Sequence, residues 1–339
     1  MNSKKLVYII GILLLFVGIV QTSLCAKNAF AMEVDKSKWP KGVSIAAARM
    51  GGVFYSWAAG WQKVLTEKVG INANVETTGG AVQNIILVNK GDSNFGITTS
   101  THAFLGWKGL GFAKGEKLQN IRLILPMYST YVQGIALKKM GIKKVRDLEG
   151  KVVGPGPKGS GSNAIARNIL EFLEIKPKRI VNSSWQDLTR QMKDGLLDAQ
   201  FTVGGLPMAA FAELEATDEF DFFGIEKADA DRIIAKFPYY IEGTVPAGAY
   251  KAVTKPVNTV SAWILLIAKK DLPEDFIYEI VKKTYANQNI IASVHPAGKD
   301  MPMERAAFSP IPLHTGTLRY FIEKGVKLPE NVYPPEFKK

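Results

Sequence analysis

The sequence is poor in cysteine: its only one, Cys25, lies in an N-terminal segment that we expect to be removed. The remaining chain would have no thiol, which excludes disulfides, thiolate metal sites and cysteine chemistry. Its stability must then come from the packing of an apolar core. About 308 residues would remain of the 339, and this length suggests two domains.

Histidine is also scarce, and the three that occur, His102, His295 and His314, are far apart and lack metal-ligand spacing. No serine lies in a nucleophile-elbow pattern, and the acidic residues do not cluster in the loops. The loop that ends at Gly159 has the glycine spacing of a phosphate loop, but Ser160 stands where such a loop requires lysine. We therefore predict no catalytic residues, no metal and no cofactor.

The positive charge of the chain is spread out. The net charge is +12, and it becomes +9 without residues 1–31, which contain three lysines and no acid. The sequence has no dense basic run and no interleaved aromatic motif, so we predict that it does not bind nucleic acid. A solvated basic surface, steering of an anionic solute and docking to a membrane partner remain as explanations.

Residues 1–31 have the pattern of a secretory signal peptide. A basic pair opens the segment, an apolar core covers residues 6–20, and a small-x-small cleavage signal ends at Ala31. The apolar run is short for a transmembrane span and no second one follows, which makes an uncleaved anchor the weaker alternative. Leu24 is too bulky to precede a lipid-modified Cys25. The pattern predicts export to the periplasm with cleavage near Ala31.

A glycine pair between a strand at residues 71–75 and a following helix is the most informative motif. A strand that ends in hydroxyls and glycines, and then opens a helix, directs free backbone N–H groups at one spot. Such an arrangement holds a small anion without a dedicated cationic side chain. We predict that the ligand contacts here are Thr78, Gly79, Gly80 and Ala81.

Strands and helices alternate along most of the chain, which predicts a largely parallel sheet with helices on its faces. We assign residues 32–127 and 269–339 to a first lobe and residues 128–268 to a second. The predicted fold class is therefore α/β, with two lobes, two mixed sheets flanked by helices, a hinge and an interlobe cleft. Ligands bind at the carboxyl ends of strands in such sheets, where the Gly/Ser/Thr loops of this sequence fall.

Further candidate contacts follow other strands of the predicted sheet. They are Gly51, Gly52 and Tyr55 in the first lobe, Ser100 after a later strand, and Ser160, Gly161, Ser162, Thr202, Gly204 and Gly205 in the second lobe. The serines could equally be helix N-caps. Thr202, Gly204 and Gly205 could equally form a plain turn. Arg49 adjoins the first of these loops, and its guanidinium could clasp a carboxylate; a surface salt bridge is the alternative.

Several short motifs run in order along nearly the whole mature chain. They cover residues 50–55, 78–84, 147–153, 159–162, 204–207, 271–275, 295–296 and 310–320. Taken in this order they resemble the extracytoplasmic solute receptors of the TAXI group, the TRAP-associated extracytoplasmic immunogenic proteins. Two positions depart from that group, because Ala81 stands where serine is frequent and Arg49 where small polar residues are common.

The resemblance implies a type II-like two-lobed periplasmic binding-protein fold. Such a receptor closes on a small anionic solute, typically a carboxylate such as glutamate or 2-oxoglutarate, and delivers it to a TRAP-type permease driven by an ion gradient. Three alternatives stay open: a receptor for an ABC importer, an enzyme on the same scaffold, and an interaction protein with a closed cleft.

Overall fold

The structure is a computed structural model, and it describes residues 36–50, 52–158 and 160–337. The predicted signal peptide and its cleavage site lie outside these residues. The chain divides into an N-terminal unit that ends at Trp39 and a unit that covers Pro40–Lys339. Of the first unit, a single 3-10 turn at Lys36–Lys38 is described. The other described elements all belong to the second unit.

The first part of this unit alternates strands and helices, as the sequence predicts. The elements are β1 (Gly42–Ala46), α1 (Val53–Val64) with a π-helical turn (Leu65–Val69), β2 (Asn72–Glu76), α2 (Ala81–Lys90), β3 (Phe95–Thr99), α3 (Ser100–Lys108) and β4 (Ile121–Leu137). Helix α1 forms because its apolar residues recur at helical spacing, and Trp57 and Trp61 are fully buried on one of its faces. These two aromatics therefore belong to the core.

The second part contains more elements than the sequence predicts. They are β5 (Val152–Gly154), α4 (Gly161–Phe172), β6 (Arg179–Ile180), α5 (Trp185–Lys193), β7 (Ala199–Gly204), α6 (Ala209–Glu215), β8 (Phe220–Phe223), α7 (Lys227–Lys236), β9 (Ile241–Val245) and β10 (Val257–Lys269). The run β8–α7–β9 was missed because each strand is four or five residues long and includes an acidic residue. The C-terminal helices are α8 (Glu274–Ala286), α9 (Gln288–Val294) and α10 (Thr315–Glu323).

All ten strands belong to one sheet, in the order β2-β1-β3-β10-β4-β7-β5-β6, with β8 on β4 and β9 on β10. The α/β class with a mixed sheet flanked by helices is confirmed. The prediction of two separate sheets is wrong in one respect, because β4 and β10 pair antiparallel and join the two parallel parts. These strands are 17 and 13 residues long and almost entirely buried, so they extend through both parts.

The sequence does not indicate that β4 is one continuous strand, because the strand contains a proline. The sequence predicts two strands separated near Pro126, which has no N–H to donate to a ladder. In the structure the strand continues past Pro126, and the register with β10 shifts between Trp263 and Leu265 at the same place. The irregular pairing accommodates the missing donor, which is why one long strand replaces the two predicted ones.

The core of the second part lies on both faces of the sheet. The apolar residues of β4 alternate between two clusters, as the two-residue period of a strand requires, whereas those of β7 all belong to one. Val132 and Ala136 pack with Phe201 in one cluster, whereas Ile135 and Leu137 pack against α5 and α6 in the other. Because both faces of these strands are buried, the register of β7 is fixed. The position of the glycine loop that follows β7 is therefore fixed as well.

Candidate functional site

A cleft of about 470 Å³ lies where the loops after β1, β2 and β5 meet. We call it the polar cleft. It is lined by Ala48, Arg49, Gly52, Thr78, Gly79, Lys158 and Ser160. Strands β1 and β2 belong to one end of the sheet and β5 to the other. The structure therefore brings together five of the predicted site residues from distant parts of the sequence.

Two helices begin at the polar cleft without a side-chain cap. The N-caps of α1 and α2 are Gly52 and Gly80, and neither offers a side-chain acceptor to the first turn. Gly80 has a φ of 100°, a conformation that residues with a Cβ rarely adopt. First-turn N–H groups carry the positive end of the helix dipole and favour an anion. In α3 and α4, by contrast, the N-caps Thr99 and Ser160 cap their own helices.

The hydroxyl of Thr78 holds the loop between β2 and α2 in shape. It lies 2.5 Å from Asn84 Oδ1 and accepts a hydrogen bond from the Gly80 N–H. Asn84 in turn donates to the carbonyl oxygens of Ala47 and Ile97. Thr78 is predicted to contact a ligand through this loop, and the structure commits its hydroxyl to the loop itself. The backbone remains as the part that can reach a ligand.

The cations of the polar cleft are Arg49 and Lys158. Both side chains are exposed, and no aspartate or glutamate is among the described residues that line the cleft. The local potential is therefore positive, which raises the local concentration of an anionic solute. Lys158 was not predicted as a site residue, because a phosphate loop has its lysine directly after the last glycine and Lys158 precedes Gly159.

A second cavity of about 790 Å³ adjoins the polar cleft. We call it the broad cavity. Its lining includes Val53, Tyr128, Ser129, Tyr131, Ser162, Trp185, Gln186, the stretch 203–210, Pro246, residues 295–297 and Asp300. Ser162 lies in this lining and Ser160 in that of the polar cleft, and their hydroxyl oxygens are 3.2 Å apart. The predicted contacts Ser162, Gly204 and Gly205 therefore belong to the broad cavity.

Two predicted contacts have hydroxyls that are buried in the fold. Ser100 Oγ donates to the carbonyl oxygen of Tyr239 at 2.9 Å and accepts from the Trp263 N–H at 3.3 Å. Thr202 is fully buried in β7, where it pairs with Gln133 of β4. Neither residue is in the lining of the two cavities.

The other predicted contacts stand beside the cavities. The residues Tyr55, Gly80, Ala81 and Gly161 are described but absent from both linings, and Gly51 lies outside the described residues. Gly161 faces His102 of α3, whose Cε1 would be 3.1 Å from a Cβ at position 161. His102 Nδ1 lies 2.7 Å from Thr99 Oγ1, and burial lowers the pKa of His102. This contact joins the start of α4 to the first part of the fold.

A buried polar network supports the glycine loop of the broad cavity. Tyr250 OH accepts from the Met208 N–H and donates to Gln133 Oε1, each at 2.8 Å. Gln133 Nε2 donates to the carbonyl oxygen of Gly204. Burial raises the pKa of Tyr250 to about 12, so the phenol keeps the proton that it donates.

Helix α6 starts later than the sequence predicts, at a residue next to this network. Pro207 was predicted in the first turn, but the helix begins at Ala209 with Met208 as its N-cap. Tyr250 binds the N–H of Met208, the backbone at Met208 is extended, and the helix starts two residues after Pro207.

The part of the chain that the structure describes contains neither a candidate metal site nor a candidate membrane-spanning helix. No group of three or more His, Cys, Asp or Glu side chains there could hold a metal ion. Among the same residues, no helix has both the length and the apolarity needed to cross a lipid bilayer.

Solved structures with a similar fold come from several proteins. A TctC solute binding protein from Polaromonas superposes with a TM-score of 0.50 at 12% identity, covering 75% of this chain and 85% of the other. The periplasmic binding protein BugD gives 0.49 at 12%, covering 86% and 100%. MatC from Rhodopseudomonas palustris, solved with bound malate, gives 0.48 at 12%, covering 84% and 96%.

The superposition on the TctC protein agrees with the sheet topology. The chain has the α/β periplasmic binding protein fold, in which a mixed sheet is flanked by helices. Its sequence matches the NMT1-like family over residues 45–325, which includes both the polar cleft and the broad cavity. This protein is therefore a member of the NMT1-like family.

Proposed function

We propose that this protein is an extracytoplasmic solute receptor of the TAXI group, which captures a small carboxylate and delivers it to a TRAP-type membrane permease. The polar cleft is the observation that carries the proposal. There two uncapped helix N-termini and two cations, Arg49 and Lys158, surround a space whose described lining has no acid. A carboxylate that leaves water needs such donors. The free-energy cost of its desolvation is large unless hydrogen bonds from the protein replace those from water.

The proposed capture step is closure of two lobes over the solute. We assign residues 32–127 and 269–339 to one lobe and residues 128–268 to the other. The packing of α9 on α1 supports the return of the C-terminal segment to the first lobe. Strands β4 and β10 cross between the lobes and would form the hinge, and closure would create the surface that a permease recognises.

Binding of an organic acid is tested most simply by thermal unfolding. A ligand that binds only the folded state at about 100 times its dissociation constant stabilises by about 2.7 kcal/mol. Native mass spectrometry of freshly purified protein would show a solute retained through purification. A broad panel of organic acids and amino acids with no shift in Tm and no heat of binding would refute the proposal.

Arg49 gives the test at residue level. Arg49→Ala should weaken binding of the acid by about tenfold or more, which is the range of a lost charged hydrogen bond. Arg167→Ala is the matched control, since it removes the same charge from an exposed residue outside both cavities. Equal affinities for the two variants would remove Arg49 from the proposed site.

The transporter class and the export route have separate tests. A large hydrophobic TRAP permease gene beside this one supports the proposal, whereas a neighbouring ATPase gene supports an ABC importer. Recovery of the bound solute unchanged distinguishes a receptor from an enzyme. The mass of the protein isolated from the periplasm should correspond to a chain that begins at Met32.

A further inference from the structure

The polar cleft and the broad cavity are lined by neighbouring residues. Ser160 and Ser162 stand at their junction with their hydroxyl oxygens 3.2 Å apart, and the adjacent residues Gly52 and Val53 line one cavity each. An acid whose carboxylate lies in the polar cleft would therefore extend its remaining atoms into the broad cavity. The chemistry of that second cavity selects the body of the solute.

The broad cavity offers no cation to a second carboxylate. No lysine or arginine occurs among the described residues that line it, and its acid is Asp300. The oxygens of Asp300 accept from the Ser129 N–H at 3.1 Å and from Arg305 Nη2 at 3.3 Å. Arg305 also donates to the Met127 carbonyl oxygen. The guanidinium of Arg305 is thus engaged by Met127 and Asp300, and Arg305 is not in the lining of the cavity.

The remaining ionisable side chains of the lining are a histidine and two tyrosines. His295 Nδ1 accepts from the Ala297 N–H at 3.1 Å, which leaves Nε2 as the free ring nitrogen. Burial raises the pKa of Tyr128, so this phenol stays uncharged. None of these groups supplies the fixed positive charge that a second carboxylate would need once it leaves water.

Apolar and aromatic surface dominates the rest of the broad cavity. Val53, Tyr131, Trp185, Leu206 and Met208 all contribute to its lining. A volume of about 790 Å³ is within the range of pockets that enclose drug-sized molecules, and such pockets bind through apolar contact with few polar groups. A chain of four or five carbons would leave much of this surface uncovered.

We infer that the preferred solute is a monocarboxylate with an uncharged alkyl or aryl body, and that dicarboxylates of the 2-oxoglutarate type bind more weakly. The inference rests on the proposed function, since it requires that the carboxylate occupies the polar cleft. It replaces the dicarboxylate that the TAXI resemblance implies with a solute whose far end is apolar.

Titration calorimetry with acids of matched length tests the inference. Hexanoate and adipate differ only in the second carboxylate, and phenylacetate, 2-oxoglutarate and glutamate extend the comparison. We expect hexanoate and phenylacetate to bind about tenfold or more tightly than adipate and 2-oxoglutarate. Tighter binding of adipate, 2-oxoglutarate or glutamate would overturn this inference and leave the receptor function intact. No binding of any acid would overturn both.

A cation added to the broad cavity should reverse the preference. Ala209 is exposed and lies in the lining, so Ala209→Lys places an ammonium there with little risk to folding. We expect the ratio of adipate to hexanoate affinity to rise by about tenfold. Leu206→Arg on the adjacent loop is the second variant. A ratio that neither variant changes would show that the body of the acid does not enter this cavity, which would overturn the inference.

Discussion

Gln83 Oε1 accepts a hydrogen bond from the backbone N–H of Gly79 at 2.6 Å, at the rim of the polar cleft. The N–H of Gly79 is one of the groups that the sequence predicts as an anion donor. The uncharged amide oxygen thus occupies a position where a carboxylate oxygen of the solute would form a stronger, charge-assisted bond. In the proposed mechanism the solute displaces the side chain of Gln83.

Gln83→Glu should convert this side chain into an internal competitor. Its carboxylate would bind the Gly79 N–H at the positive end of α2, so we expect acid binding to weaken by about tenfold or more. The control is Gln83→Ala, which removes the competitor and should leave affinity unchanged or improve it. Titration calorimetry with hexanoate measures both. Equal affinity of the two variants would place the carboxylate elsewhere.

Gly161→Ala should oppose the approach of the two parts of the fold. A Cβ at this position would stand 3.1 Å from His102 Cε1, closer than the packed side chains tolerate without a shift. We expect binding to weaken by about fivefold, and the double variant with His102→Ala to recover it. If the double variant binds as weakly as Gly161→Ala, Gly161 acts on the solute and not through His102.

Gly134→Ala should destabilise the long strand β4. The added Cβ would lie 2.1 Å from Phe223 Cε2 on the partner strand β8, so the ring must move within a packed core. The expected loss in the free energy of unfolding is about 1–3 kcal/mol, measured by urea denaturation. Gly205→Ala, which meets no atom within 4 Å, is the matched control. A loss of the same size in both variants would contradict this explanation.

His314 should make stability depend on pH. Burial lowers its pKa to about 4 from 6.5, and its Nδ1 accepts from the Gly316 N–H at the start of α10. Between these values the unfolded chain binds a proton that the folded chain does not, so lowering the pH destabilises the fold. Near pH 5.5 we expect a loss of about 1 kcal/mol per pH unit.

His314→Asn isolates this contribution from that of other titrating groups. Asparagine can still accept at the helix N-cap but does not titrate. Urea denaturation between pH 7.5 and 4.5 should therefore give a shallower pH dependence for the variant. Parallel curves for the two proteins would show that folding leaves the pKa of His314 unchanged, which would contradict the prediction.

The local parts of the site could be predicted from sequence. The glycine pair at Gly79 and Gly80 lies between adjacent elements, so the strand, the turn and the helix that define its role are all within residues 72–90. The uncapped start of α2 follows from that local pattern. Residues 78–79 line the polar cleft.

Contacts between distant residues could not be predicted in the same way. The hydroxyl of Ser100 is taken by a carbonyl 139 residues along the chain, and nothing near Ser100 in the sequence indicates that partner. Lys158 reaches the cleft only because the loop after β5 meets the loop after β1, although the two strands lie far apart in the sheet. The continuity of β4 past Pro126 depends on irregular pairing with β10, again a tertiary feature.

A crystal structure of the mature protein with its tightest-binding organic acid tests the central claim most directly. We expect the carboxylate to lie in the polar cleft, with hydrogen bonds from first-turn N–H groups of α1 or α2 and an ion pair with Arg49 or Lys158. A carboxylate bound at any other surface, with the polar cleft filled only by solvent, would contradict the account.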